Sequence, residues 1–199
     1  TLVARYPGIE EVVTAYANSL FNLSRHQDVE EVRKTLIQIE KLSSDYSDIS
    51  NVVIAYAKTL HIVGYKLCHR NSTEVYKITE KLKELMVAYS NIPQLIVEYA
   101  NFLLTLSSET NDRKRVQKIV KELETLEALY PKNSEIKVIR VKGLINLCAK
   151  NDRYEMVKQF KKLADVYPAN LDIITAYAIS LYNLALIQNS EEAEETVNQ

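Results

Sequence analysis

Glycine and proline are scarce in this chain, at 3 and 4 of 199 residues. Tight hairpin turns draw on both residue types, so a sheet of many short strands is excluded in favour of helices. Tryptophan is absent, whereas tyrosine occurs 13 times. Cys68 and Cys148 are the two cysteines, 80 positions apart. A lone distant pair is no disulfide framework, and a reducing compartment, the cytoplasm, is expected. No apolar run approaches the roughly 18 residues that a membrane span requires. Charge of one sign is also lacking: 25 basic and 26 acidic residues leave a net charge of −1. No global field then draws the chain toward nucleic acid or an anionic membrane. Hydrophobic residues make up 47%, ample for a buried core.

What the chain does contain is repetition. The stretch YPGIEEVVTAYANSLFNL (6–23) returns as YPANLDIITAYAISLYNL (167–184), with ten of eighteen positions identical. A tyrosine followed by proline or serine occurs at Tyr6-Pro7, Tyr46-Ser47, Tyr89-Ser90, Tyr130-Pro131 and Tyr167-Pro168, in steps of 40, 43, 41 and 37 residues. Nine residues after each proline or serine stand Tyr16, Tyr56, Tyr99, Arg140 and Tyr177. Ala17, Ala57, Ala100, Val141 and Ala178 follow directly. Three positions further on come Leu20, Leu60, Leu103, Leu144 and Leu181, and three beyond those Leu23, Val63, Leu106, Leu147 and Leu184. Steps of one, three and three place these residues on one helical stripe, the first helix of each unit.

The second half of each unit repeats as well. Its stripe reads Val32, Ile39, Leu42; then Val75, Ile78, Leu82, Leu85; then Val116, Ile119, Leu123, Leu126; then Met156, Phe160, Leu163. Spacings of three and four again predict an amphipathic helix. Asp28, Thr73, Asp112 and Asp152 stand near the starts, where a side-chain oxygen can accept a free backbone N–H. Each unit is therefore a helix pair. One pair cannot bury both of its stripes, and neighbouring pairs stacked in order can, which predicts an all-α solenoid. The expected units are 7–46, 47–89, 90–130, 131–167 and a partial 168–199, together one repeat domain.

The pattern resembles the tetratricopeptide repeat family. Its first-helix signature of a large residue, a small residue and a Leu three on is carried by Tyr16-Ala17…Leu20 and its four copies. Met156, Phe160, Leu163 and Pro168 match the second-helix steps of 4, 3 and 5, and SEEAEETV (190–197) matches through Glu191, Glu192, Ala193 and Val197. The departures are a period longer than the family's ~34 residues, Thr35, Ile78, Ile119 and Met156 in place of a second-helix Ala, and Ser47 and Ser90 in place of Pro. The resemblance implies a right-handed α-solenoid of stacked antiparallel helix pairs. Leu2 aligns with Leu42, Leu85, Leu126 and Leu163, so residues 1–5 read as the tail of a preceding second helix. With no initiator Met, and unit five breaking off within its second helix, excision from a longer array is expected.

Reaction chemistry has little to build on. The histidines are His26, His61 and His69; LCHR (67–70) sets Cys68 beside His69 without the ligand number of a zinc site. Gly8, Gly64 and Gly143 are too scattered for a phosphate loop, and no serine nucleophile elbow occurs. Carboxylates such as those of KELETLEAL (121–129) read as a solvated, ion-paired face. The basic cluster Arg113, Lys114, Arg115 and Lys118 sits at a helix start with Glu122, Glu124 and Glu127 close behind, a poor nucleic-acid footprint. The expectation is a chain that is not an enzyme and uses no metal or cofactor.

If the family geometry holds, the first helices line a concave face, and their positions outside the core meet a peptide or a partner helix. Those positions are Thr14, Asn18, Phe21 and Asn22; Lys58 and His61; Asn101 and Leu104; Lys142 and Asn146; Tyr182 and Asn183. Asn can donate to and accept from an extended backbone, and the apolar members can seat a side chain. The Lys/Asn carboxylate clamp of some family members is not matched, because Thr14, Val97, Asp172 and Ala176 occupy its basic places. A protein or peptide partner is thus the expected ligand. The alternatives are a sensor or spacer segment of a larger regulatory protein and self-association through uncapped repeat faces.

Overall fold

The computed structural model describes residues 2–188. The described residues form ten α-helices and no strand: α1 (Leu2–Arg5), α2 (Glu10–His26), α3 (Val29–Asp45), α4 (Ser50–Leu67), α5 (Ser72–Ala88), α6 (Pro93–Glu109), α7 (Arg113–Leu129), α8 (Ser134–Cys148), α9 (Arg153–Val166) and α10 (Leu171–Ala185). The all-α expectation holds. The short α1 stands where the tail of a second helix is expected. The side chain of Leu2 and the helix expected over 190–197 lie outside the described residues.

Every junction from a second helix to the next first helix is built alike. Tyr46, Tyr89, Tyr130 and Tyr167 cap α3, α5, α7 and α9, each donating its N–H to a Leu carbonyl four residues back (Leu42, Leu85, Leu126, Leu163) at 2.8–3.0 Å. Each Tyr carbonyl then accepts an N–H three residues on, from Ile49, Ile92, Asn133 and Asn170, and Tyr6 does the same with Ile9. The cap tyrosines keep φ between −117° and −130°. Among the described residues none has a positive φ. These turns need no left-handed residue, so a chain with 3 glycines can still turn repeatedly.

At the opposite ends, Asp28, Asp112 and Asp152 accept backbone N–H groups as expected, from Glu31 (2.9 Å), from Lys114 and Arg115 (2.9 and 3.3 Å) and from Glu155 (3.0 Å). The cap of α5 is Asn71, which accepts from Glu74 at 3.0 Å, and not Thr73. The helix starts at Ser72, so Thr73 already lies inside the first turn, past the position from which an oxygen can reach back. Pro93 opens α6, where its missing N–H is one the helix leaves unpaired anyway.

The chain divides into two compact units, Thr1–Thr105 and Leu106–Gln199. In the first, α2 packs on α3 and α4, α3 on α4, and α4 on α5. In the second, α7 packs on α8, α8 on α9 and α10, and α9 on α10. From α2 to α5 and from α7 to α10 each helix thus meets its successor, and α2 meets α4 and α8 meets α10 as one first helix meets the next.

The second-helix stripes are buried at Val32, Ile39, Leu42, Val75, Ile78, Leu82, Leu85, Val116, Ile119, Leu123, Leu126 and Phe160; Met156 and Leu163 are half-buried, with Val157 buried beside them. The first-helix stripe needs correction. Leu23 is 49% exposed, while the next residue, Ser24, is 0% exposed. The buried column runs through pairs seven apart: Ala17 and Ser24, Ala57 and Gly64, Ala100 and Ser107, Val141 and Cys148. Seven residues advance about 700°, nearly two full turns, whereas six leave a side chain about 120° off the core direction. The intermediate position is buried too in α4, α6 and α10, at Val63, Leu106 and Leu184. Ser24 tolerates burial by donating its hydroxyl to the Phe21 carbonyl at 2.6 Å. Ala178 departs in the other direction and is exposed, with Ser180 buried near it.

The small residues let helices approach closely. A Cβ on Gly64 would fall 2.4 Å from Cε2 of the wholly buried Phe102 ring and 3.2 Å from Ile78. In the second unit a Cβ on Gly143 would lie 2.9 Å from Leu123.

Candidate functional site

The first-helix surface is made of positions that the core does not take, and each unit presents its own. In the first unit α2 supplies Thr14, Asn18, Phe21 and Asn22; α4 supplies Lys58 and His61; α6 supplies Asn101 and Leu104. None of these is buried. The structure brings Phe21 and Lys58 together, the ammonium standing 5.7 Å from the ring centroid, a cation–π contact between α2 and α4. Asn18 and Asn22 are exposed and Asn101 is half-buried, and their side-chain amides make no hydrogen bond among the described residues. Thr14 is half-buried, with its Oγ1 shielded from solvent and unpaired.

His61 is placed differently from its neighbours. Nδ1 lies 2.5 Å from Glu98 Oε1 and Nε2 3.0 Å from Thr105 Oγ1, while the ring meets Phe102 edge-on. Thr105 in turn donates to the Asn101 carbonyl at 3.0 Å. Both ring nitrogens are thus engaged in tying α4 to α6, and His61 acts here as a fastener. Nothing in the sequence singles out Glu98 and Thr105, which lie 37 and 44 residues away.

In the second unit α8 supplies Lys142 and Asn146, and α10 supplies Tyr182 and Asn183. Lys142 is exposed without a partner among the described residues, and Tyr182 is 64% exposed. Asn146 donates Nδ2 to Ser107 Oγ at 2.7 Å, and the Asn183 carbonyl accepts from Arg153 at 3.1 Å. These two are partly spent on the chain itself.

Two polar clusters stabilise packing beside these faces. In the first unit the Tyr56 hydroxyl donates to Glu40 Oε1 at 2.8 Å, and Arg33 joins α3 to α5 through Glu74 at 2.7 Å. Burial first, then the bonded Glu40 carboxylate, raises the Tyr56 phenol well above its ordinary range. In the second unit Arg140 replaces the recurrent tyrosine and is buried. Its guanidinium donates to the Tyr167 hydroxyl, lies over that ring, and pairs through Nε with the Glu127 carboxylate. The Nε–Glu127 approach is an ion pair without the alignment of a hydrogen bond. Burial opposes the charge, and Tyr167 and Glu127 together outweigh it, so the cation is held more firmly than usual. The Tyr167 hydroxyl reaches Arg140 because a cation occupies the position where the other units place an aromatic ring.

The basic residues Arg113, Lys114, Arg115 and Lys118 do lie in the opening turns of α7, where the Asp112 cap carboxylate offsets their unfavourable placement at the positive end of the helix. Cys68 caps α4 and Cys148 ends α8, and neither forms a disulfide. Burial pushes the Cys148 thiol up to about 11. Its neutral form is therefore favoured by folding: the associated stability is present below the ordinary thiol range and is lost as pH rises toward 11. At pH 8 a maleimide is expected to label native Cys148 at least about a hundredfold more slowly than the unfolded chain. Mass spectrometry of pulse-labelled protein reads this directly, and equal rates would contradict it.

No helix among the described residues is long and apolar enough to cross a membrane. Compared with protein-family models, with curated proteins and with solved structures, the chain matches none.

Proposed function

We propose that the chain is a protein-interaction scaffold: a tetratricopeptide-like right-handed solenoid of helix pairs whose first helices receive an extended peptide or a partner helix. It performs no reaction of its own under this reading. The order of packing inside each unit and the repeated tyrosine junctions support the stacking of pairs. The observation that carries the binding role is the first-helix surface of the first unit. There the amides of Asn18, Asn22 and Asn101 have no partner among the described residues, and Lys58 has only the Phe21 ring. Side-chain amides match the donor and acceptor pattern of a peptide backbone, and half-buried Phe21 and Leu104 offer apolar seats beside them. His61 and Asn146 serve the scaffold more than the ligand.

The test is selection of peptides by display against the purified chain, followed by titration of the winners. The triple variant Asn18→Ala, Lys58→Ala, Asn101→Ala is expected to lose about tenfold or more in affinity, about 1.4 kcal/mol, with its thermal melt unchanged. Peptides that bind the variant as tightly as the parent would defeat the reading.

A further inference from the structure

We draw no further inference here: the strongest candidate, the apolar face that α10 turns outward through Leu171, Ile174, Ile179 and Tyr182 in the second unit, carries nothing because nothing in the structure shows what covers it.

Discussion

Gly64→Leu is expected to destabilise the chain by about 3 kcal/mol, and Gly64→Ala by about 1–2 kcal/mol. The first added atom already meets the Phe102 ring at 2.4 and 2.5 Å. That ring is 0% exposed and lies edge-on to His61, which is itself fastened to Glu98, so it has little room to move. Overpacking of this kind costs about 1–3 kcal/mol and occasionally more. Removing a helical glycine returns about 1 kcal/mol, which is why the alanine variant keeps part of its stability. Urea unfolding measures the effect as a shift of the midpoint at constant slope. The clash makes a second, sharper expectation: Phe102→Leu, destabilising alone, should recover stability when combined with Gly64→Ala. A strictly additive double mutant would show that the two side chains do not compete for one space.

Arg140→Ala is expected to cost about 2–4 kcal/mol. Breaking a buried ion pair from one side costs about 3–5 kcal/mol, because the partner charge is left without compensation. The figure is reduced here because the Glu127 side chain is 29% exposed and can turn toward water. The loss also takes the contact with the Tyr167 ring and leaves its hydroxyl without the guanidinium. Arg140→Lys should recover little, since an ammonium cannot serve the tyrosine and the carboxylate through a planar fork. The informative variant is Arg140→Leu combined with Glu127→Leu, expected to lie within about 1 kcal/mol of the parent, because removing both charges also removes the cost of burying them. A double variant as unstable as Arg140→Ala would show that the cluster contributes through shape and not through charge.

These two sites mark the boundary of what the amino-acid sequence discloses by itself. Helix pairs, their junction tyrosines and three of the four expected caps follow from local chemistry, and local chemistry is written along the chain. The unusual residue at 140 is visible as a break in the tyrosine series, but its partners lie 13 and 27 residues away and share no pattern with it. The hydrophobic pattern points to Leu23 where the structure buries Ser24, because hydrophobicity outweighs helical geometry in the pattern, while a serine that bonds its own backbone can be buried. Gly64 reads as an unremarkable small residue until Phe102 is seen to occupy the space above it. On the candidate surface the exposed asparagines are legible, since they fall between core positions. The engagement of His61 is not, because Glu98 and Thr105 reach it from another helix.

The tyrosine junctions have a consequence for how such a chain can drift. Because every turn is made in ordinary right-handed or extended backbone, no position there is reserved for a special residue, and serine replaces proline at 47 and 90 without altering the bonds around it. Substitutions can accumulate at these corners while the hairpin stays the same, so two copies can part company in spelling long before they part company in form.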